Sequence, residues 1–562
     1  MNISACAPSG GYQEPLYSSL LKKARVIVSL RFIAVFSAIC VLLPILVILS
    51  FFLQPESEIW QHIVDILLID LLKNTFFLCI GVLAGTFVLG VGAAWLTAVC
   101  DFPGRKFFNW ALILPLAVPT YVLAFVFIGL LDFSGPVQTL LRTHFFLPLK
   151  WFPNIRSTGG VIFVMSLALY PYVYLLARNA FQTQGKRILE VSQALGQSRT
   201  NAFFKAALPM ARPWIASGLM LVLMETLADF GAVSIFNYDT FTTGIYKAWF
   251  GFFSLSAAAQ LSSILLIFVI LVVIVEQQMR AKMQFHQVGK MTPETSRIRL
   301  YGWKKWGACG SLSAIVLIAF LIPCLQLSVW SFKSAAVEID SRYIGLLVRS
   351  VFLALMAVTV ITGLGLLMSY TQRQYPDYFT KWTIRLASMG YALPGTVLAV
   401  GIVILVNFTD KQFIWAVKEI TGIQFKSILN GTIITVLFAY TVRFLTVGFN
   451  SINSSMLRIT KSLDEASTLL GVTGVKLLQR IHIPVLKNGL YTAAMLVFVD
   501  VMKEMPITLM TRPFGWDTLA VKIFELTSEG EWQRAAIPSI TLVFAGLIPL
   551  ILLHKKSEQT AL

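Results

Sequence analysis

Four carboxylates lie within or beside long apolar segments, where ionisable side chains are rare. Glu225 and Asp229 are four residues apart, and Asp500 and Glu504 repeat that spacing in the second half of the chain. Side chains four apart share one helix face. A charge in a bilayer costs about 2.5–3.5 kcal/mol on insertion scales, so such groups tend to face a cavity or a partner. The pattern predicts two acidic faces that line a central path.

Two cations offer a different explanation of these acids. Lys503 lies beside the second acidic pair, and Arg443 falls inside another apolar segment. Either cation could neutralise the acids in buried pairs that hold the helices together, and the sequence leaves both explanations open. Tyr170 and Tyr172, on either side of Pro171, could add phenol oxygens to a path, although an interface or kink role is favoured.

Long apolar segments must position these residues. The chain has 562 residues, of which 57% are hydrophobic and 13% charged, whereas soluble domains carry about 25% charged residues. A helix needs roughly 20 apolar residues to cross a bilayer. The sequence predicts an all-α multi-pass membrane protein with twelve spans, six per half: Phe32–Leu53, Asn74–Ala98, Trp110–Leu131, Gly159–Phe181, Trp214–Phe236, Leu255–Val275, Trp306–Phe332, Leu347–Tyr370, Thr383–Val406, Ile428–Ser451, Asn488–Thr511 and Ala535–Leu553.

The net charge of +18 reflects membrane orientation rather than nucleic-acid binding. Lys and Arg concentrate in the segments that are predicted to lie on the same side of the membrane as the N-terminus. This enrichment in basic residues is typical of cytosolic loops. Both termini are therefore predicted to be cytosolic. The polar residues 1–30 are predicted to be a tail rather than a cleaved signal, because the apolar run from Phe32 is long enough to span.

The two halves of the chain are an internal repeat. One constant offset in residue number separates Gly90 from Gly365 and Pro119 from Pro394, and it also separates the two acidic pairs. An even number of spans in each half predicts parallel repeats. The predicted division is a cytosolic tail at 1–30, a first half at 31–275 with a core at about 72–275, a cytosolic linker at 276–305, a second half at 306–554 with a core at about 346–553, and a cytosolic tail at 555–562.

One polar segment on the predicted cytosolic side also occurs twice. Its shared residues are Glu190, Gly196 and Pro209 in the first copy and Glu465, Gly471 and Pro484 in the second. Each copy predicts a short helix, a turn at a glycine with positive φ, and a second helix that the proline stops. The predicted helices are Lys186–Leu195, Ser198–Ala206, Leu463–Leu470 and Val475–Ile481. Repetition favours two docking surfaces for a soluble partner over generic inter-helix loops.

The sequence lacks the motifs of an enzyme. It contains no GxxxxGK[ST] phosphate loop, no His-rich cluster and no G-x-S-x-G nucleophile motif. We therefore expect a transport conduit rather than an enzyme. We expect this chain to bind no cofactor of its own, and the sequence assigns no metal site to it. The outer loops are too short to form a substrate-capturing domain, which predicts a separate binding protein.

The repeated segments resemble the Glu-Ala-Ala loop of type I permease subunits of binding-protein-dependent ATP-binding-cassette importers. The matching positions are Glu190, Ser192, Gly196, Leu208, Pro209, Glu465, Ala466, Gly471, Ile483 and Pro484. The resemblance implies that each loop is a coupling helix in a groove of an ATPase, which the Glu contacts by charge. It also implies two ATPase subunits that use the ATP, a periplasmic or lipid-anchored substrate-binding protein, and a bacterial inner-membrane location.

A narrower resemblance concerns the cargo. Residues 225–231 with 240–250, and 503–509 with 512–521, are similar to fused ferric-iron permeases. This implies import of Fe(III), a hard ion that prefers oxygen donors, by ATP-driven alternating access. Related permeases carry thiamine or aminophosphonates, so these substrates remain alternatives. A secondary transporter with 6+6 repeats is a further alternative, although it would not need two matched docking loops.

Overall fold

The computed structural model describes residues 16–53, 57–145, 152–182, 192, 194–284, 297–422 and 427–561. Over these residues the chain is almost entirely helical, and twelve helices are long and apolar enough to cross a membrane. Six of them precede the predicted linker and six follow it. The fold class, an all-α multi-pass membrane protein with two sets of six spans, is therefore confirmed.

The helices of the two halves follow a similar order. Those of the first half are Leu16–Phe51, Ser57–Ile63, Ile69–Val99, Arg105–Ala111, Thr120–Leu131, Pro136–Phe145, Thr158–Ala180, Arg199–Ala202, Leu208–Ala228, Gly231–Ile235, Phe241–Tyr246 and Leu255–Gln284. Those of the second half are Trp303–Val316, Ile322–Glu338, Ser341–Gln374, Tyr378–Ala387, Gly395–Thr421, Ile433–Met456, Lys461–Leu469, Gly474–Leu477, Ile483–Lys503, Pro506–Thr511, Leu519–Ser528 and Trp532–Ala561.

Shorter elements complete the described chain. The 3₁₀ turns are Leu114–Ala117 and Gly390–Ala392, and the π turns are Val64–Leu68, Phe203–Ala207, Lys247–Gly251, Leu317–Leu321 and Leu478–His482. Two short strands, Cys100–Asp101 and Ile298–Arg299, pair in parallel. This pairing joins the loop after the second span to the end of the predicted linker.

The third and ninth spans begin later than the sequence predicted. Their main helices start only at Thr120 and Gly395, each directly after a proline. The residues before these prolines, Val118 and Leu393, are extended, with ψ of 120° and 131°. A proline ring disfavours helical conformation in the preceding residue. The prediction of continuous helices from Trp110 and Thr383 is therefore wrong for the residues that precede these two prolines.

The fifth and eleventh spans are broken where the sequence predicted continuous helices. The chain is extended at Asp229 and Glu504, with ψ of 129° and 116°. The short helices Gly231–Ile235 and Pro506–Thr511 follow. Each break is stabilised because the acidic side chain accepts an N–H of the following helix, an alternative to the regular helical bond.

The loop prolines, in contrast, do not stop their helices, which corrects the prediction for Pro209 and Pro484. A π turn ends two residues before each proline and continues directly into the next helix. In the first copy, the N–H of Leu208 bonds to the carbonyl of Phe203, five residues back. We infer that this wider turn accommodates the proline ring, which normally clashes with the carbonyl four residues earlier.

The first helix of each half packs against the opposite half. Leu16–Phe51 lies against three helices of the second half, and Arg31 Nη2 is 3.0 Å from Asp377 Oδ1. A Cβ at Gly401 would lie 2.6 Å from the Cδ1 of Ile48, which shows how closely these helices approach.

The first membrane span of the second half, Trp303–Ala335, likewise packs against the first half. Trp330 stacks on Phe125 with ring centroids 6.2 Å apart. A Cβ at Gly129 would lie 2.6 Å from the Cη2 of Trp330. The two halves therefore interlock through tightly packed glycine contacts.

The aligned glycines of the repeat occupy equivalent positions. A Cβ at Gly90 would lie 3.0 Å from the backbone N of Tyr174, and a Cβ at Gly365 would lie 3.1 Å from the backbone N of Phe449. Tyr174 and Phe449 are themselves separated by the offset of the repeat. The repeat seen in the sequence is therefore also a repeat in helix packing.

Candidate functional site

The broken helices meet around a cavity of about 180 Å³. Its wall includes the ends of Leu208–Ala228 and Ile483–Lys503, and the starts of the helices that begin at Thr120, Gly231 and Pro506. Both halves contribute to the wall. The cavity therefore lies at the interface of the two repeats, where transporters of repeated architecture bind substrate.

All five predicted path residues line this cavity. They are Glu225 and Asp229 from the first half, and Asp500, Lys503 and Glu504 from the second. The fold thus brings together two acidic pairs that lie in different halves of the sequence. Their role in transport stays a prediction, because the geometry places them without showing what they bind.

Asp229 and Glu504 occupy equivalent positions at the helix breaks. Asp229 Oδ2 accepts the N–H of Val233 at 3.1 Å, and Glu504 Oε1 accepts the N–H of Ile507 at 3.0 Å. A carboxylate is favoured at this end of a helix, where free N–H groups carry partial positive charge. Each acid therefore caps a short helix while it faces the cavity.

The remaining polar side chains of the cavity have different partners. Tyr391 donates its hydroxyl to Glu225 Oε1 at 3.2 Å, and Lys503 Nζ donates to the carbonyl of Leu116 at 2.7 Å. Within the described chain, Asp500 makes no hydrogen bond or ion pair.

One buried ion pair is present in the cavity. Arg443 Nη1 lies 3.4 Å from both carboxylate oxygens of Glu504. The alternative of neutralised, structural acids thus fits Glu504, but Lys503 pairs with none of the described acids. The acids of the first half have hydroxyl or backbone donors instead.

One tyrosine and one threonine, Tyr391 and Thr120, extend the site beyond the sequence prediction. Tyr172 lines the cavity, whereas Tyr170 is buried outside it and donates to the carbonyl of Leu112 at 2.9 Å. Thr120 donates to Asp229 Oδ1 at 2.7 Å. Tyr391 and Thr120 were missed, although each lies within three residues of a repeated proline, which was the available signal.

The cavity acids do not form a compact metal site. Across the described residues, no three His, Cys, Asp or Glu side chains are placed to hold one ion together. The carboxylates instead surround an open space.

The two repeated loops share one turn geometry. Gly196 and Gly471 have φ of 78° and 75°, which confirms the predicted positive φ. The N–H of Gln197 bonds to the carbonyl of Ser192, and the N–H of Val472 bonds to that of Ser467, each spanning five residues. This is the Schellman ending of a helix, for which glycine is favoured. Glu190 and most of the first predicted helix lie outside the described residues.

The described parts of both loops present an apolar side chain at their surface, and the second loop also presents an acidic one. Leu195 and Leu470, which precede the two turn glycines, are 78% and 83% exposed. Glu465 and Ala466 are exposed as well. These two leucines occupy equivalent positions of the repeat. Further along each copy, Leu208, Pro209, Ile483 and Pro484 lie in the helix that continues towards the cavity.

The second loop is anchored to the neighbouring helix Ser341–Gln374. Arg373 Nε donates to Asp464 Oδ2 at 2.7 Å, and His482 Nε2 donates to Asp464 Oδ1 at 2.8 Å. Burial raises the pKa of Asp464, but these two hydrogen bonds outweigh it and hold the pKa below its ordinary value. The loop therefore has a fixed position on the bundle.

The chain is similar in sequence to known membrane components of transport systems. Residues 86–281 match the family described as binding-protein-dependent transport system inner membrane component. The chain is 27% identical to the Fe(3+)-transport system permease protein FbpB 2 of Haemophilus influenzae, over 86% of this chain and 90% of the relative. It is 24% identical to the ferric transport system permease protein FbpB of Actinobacillus pleuropneumoniae, over 88% and 73%.

Shorter relatives are similar to part of the chain. One is the putative 2-aminoethylphosphonate transport system permease protein PhnV of Salmonella typhimurium, at 28% identity over 35% of this chain and 68% of its own length. Another is the molybdate/tungstate transport system permease protein WtpB of Pyrococcus abyssi, at 25% identity over 41% and 86%. Each covers less than half of this chain.

Proposed function

We propose that this chain, which belongs to the inner-membrane components of binding-protein-dependent transport systems, imports ferric iron as the fused permease subunit of an ATP-driven importer. It is a transport subunit rather than an enzyme. The curated ferric permeases that it resembles align over most of both chains. This extent favours iron over the substrates of the shorter relatives.

The observation that carries the cargo assignment is the cavity between the halves. Four carboxylates face it, and the phenols of Tyr172 and Tyr391 add further oxygen atoms. Hard, highly charged ions prefer such oxygen donors. A conduit must bind its ion weakly enough to release it, so carboxylates spread around a cavity suit transit.

The docking loops support the assignment of the partners. We propose that two cytosolic ATPase subunits bind the segments 190–209 and 465–484, and that a substrate-binding protein docks on the opposite face. One helix of 21 residues, about 30 Å long, leads from each loop to the cavity. Asp229 and Glu504 stand at the far ends of these two helices. A shift of a loop would therefore move the acid that ends its helix.

The proposed cycle is alternating access. ATP-driven closure of the ATPase pair would draw the two loops together and open the cavity to the binding protein. Reopening of the ATPase pair would then make the cavity accessible from the cytosolic side. The charge asymmetry of the loops supports an inner-membrane orientation with both termini in the cytosol.

Reconstituted transport tests this function. Proteoliposomes would contain the chain with its ATPase, and iron-loaded binding protein would be added outside. We expect uptake of radioactive iron that requires both ATP and the binding protein, and no uptake of aminoethylphosphonate or thiamine. Uptake by the chain alone, driven by an ion gradient, would contradict the importer assignment in favour of a secondary transporter.

A further inference from the structure

The two halves line the cavity with different residues at equivalent positions. At the offset of the repeat, Thr120 corresponds to Gly395, Ala168 to Arg443 and Asp229 to Glu504, and all but Gly395 line the cavity. The acid is kept in both halves. Its neighbours differ, so the two acids have different electrostatic surroundings.

In the first half, the acid has only neutral partners. Asp229 accepts hydrogen bonds from the Thr120 hydroxyl at 2.7 Å and from the Val233 N–H at 3.1 Å. The residue that corresponds to Arg443 is Ala168, which carries no charge. The Asp229 carboxyl group therefore has no cationic partner among the described residues.

In the second half, a guanidinium takes the place of the hydroxyl. A Cβ at Gly395 would lie 2.2 Å from Arg443 Nη1 and 2.9 Å from Glu504 Oε1. The missing side chain at Gly395 thus makes the space in which Arg443 reaches Glu504. A threonine at position 395, like Thr120 in the first half, would occupy the space that the Arg443 guanidinium uses.

This ion pair has loose geometry for a buried structural pair. The contacts from Arg443 Nη1 to Glu504 measure 3.4 Å, whereas charge-assisted hydrogen bonds are usually about 2.7–2.9 Å. Arg443 Nε is buried and has no hydrogen-bond partner among the described residues. A pair selected for stability would be expected to be shorter and to satisfy more of the guanidinium donors.

We propose that Arg443 is the resident counter-cation of the cavity, which pairs with Glu504 while the cavity is empty and yields that carboxylate to a trivalent cation during transport. Asp229 is then a permanently available acid, and Glu504 an exchangeable one. Arg443 acts here as a positioning and specificity residue, because it competes with cargo for one carboxylate. This inference rests on the proposed function, in which the cavity carries ferric iron.

Binding of Tb(III) tests the inference without ATP or the binding protein. Tb(III) is a trivalent, oxygen-preferring ion whose luminescence is excited through nearby aromatic rings, and the cavity contains Tyr172 and Tyr391. The full chain in nanodiscs of zwitterionic lipid would be titrated. We expect Arg443→Gln to bind Tb(III) about tenfold more tightly than the unmodified protein, because a competing cation has been removed.

Two further variants show whether the effect of Arg443→Gln on Tb(III) affinity depends on Glu504. In the Glu504→Gln background, Arg443→Gln is expected to change the affinity less than twofold, as a double-mutant cycle requires for two directly coupled residues. Arg373→Gln is the matched control, since the Arg373 side chain is as buried as that of Arg443 and also pairs with a carboxylate, but lies away from the cavity. Arg373→Gln should leave Tb(III) affinity unchanged.

The outcomes separate this inference from the proposed function. Equal Tb(III) affinity of the unmodified protein and Arg443→Gln, with weaker binding by Asp229→Asn and Glu504→Gln, would overturn the role of Arg443 and leave the cavity as the iron path. Unchanged binding by both acid variants would overturn both proposals. If Arg443→Gln does not fold, the uncharged Arg443→Met replaces it, and wild-type affinity in that variant would also contradict the inference.

Discussion

Two of the cavity acids, Asp229 and Glu504, accept backbone hydrogen bonds and also line the proposed path. Asp229 and Glu504 each follow a long helix and accept an N–H of the next one. A carboxylate at such a helix start stabilises it by about 0.3–1 kcal/mol. Amide substitutions keep an acceptor oxygen at this position. They therefore separate the charge of the acid from its capping role better than alanine does.

The first prediction concerns transport by the two amide variants. We expect Asp229→Asn and Glu504→Gln each to lower iron uptake at least tenfold, because each removes one of the four acids that face the cavity. Uptake would be measured in proteoliposomes and divided by the amount of assembled complex. Uptake that is unchanged in both variants would support a purely structural role for these acids.

The same two variants should differ in stability. Glu504→Gln removes the acid that pairs directly with the buried Arg443, which costs on the order of 3 kcal/mol. Asp229→Asn affects a site with neutral partners, where we expect a cost of about 1 kcal/mol. Apparent Tm in detergent measures the difference, and Glu504→Gln combined with Arg443→Gln should recover most of the loss. Equal Tm values for the two single variants would contradict this account of the ion pair.

Asp464 gives a prediction for pH dependence. Its pKa is held below the ordinary value of about 3.9 because hydrogen bonds from Arg373 and His482 outweigh the opposing effect of burial. A lowered folded-state pKa contributes stability above the unfolded pKa, and this contribution is lost as the pH falls through the folded pKa. The Tm difference between wild type and Asp464→Asn should therefore persist from pH 5 to about 4 and shrink below it. Glu465→Gln, at an exposed neighbour, should show no such difference.

At the scale of elements, the turn glycines connect the docking loops to their helices. Gly196 and Gly471 adopt positive φ, and a Cβ at either would have no described atom within 4 Å, so a side chain there would meet backbone strain rather than a clash with the described residues. Left-handed conformation costs roughly 1–2 kcal/mol for other residues. We expect Gly196→Val with Gly471→Val to abolish both ATPase association in pull-down assays and iron uptake.

A glycine far from the loops provides the control for this pair. Gly422 also has positive φ, at 72°, where it ends the helix Gly395–Thr421. Gly422→Val should introduce similar backbone strain but leave ATPase association intact. Survival of both association and uptake in the double loop variant would show that these loops do not couple the chain to an ATPase.

The elements also show which features a sequence pattern can predict. The number of spans and the positive φ of Gly471 depend on local apolar length and on local backbone freedom, so they were predicted correctly. Asp229, where the helix breaks, accepts a hydrogen bond from Thr120 of another helix, and the continuity through Pro209 includes a π turn. Such bonds between elements leave no periodic signal. The gathering of the acids was predictable only because the repeat placed them at the same offset.

At the scale of the molecule, the interlocked halves explain how two repeats form one cavity. Each half sends its first helix across the other, and Gly401 and Gly129 allow the close contacts with Ile48 and Trp330. The interface therefore includes buried packing well away from the cavity. Such packing can hold the halves together without relying on the covalent link between them.

The last prediction follows from this interlocking. Two chains that comprise residues 1–290 and 291–562, produced together, should copurify and support iron uptake, because the crossing helices keep their partners. In this split protein, Gly129→Leu with Gly401→Leu should reduce copurification at least fivefold, since a Cβ at either position would lie 2.6 Å from its neighbour. Gly92→Leu is the matched control, because a Cβ at Gly92 would have no described atom within 4 Å. Failure of the unmodified halves to associate, although each is inserted in the membrane, would show that the linker rather than the crossed packing holds the two repeats together.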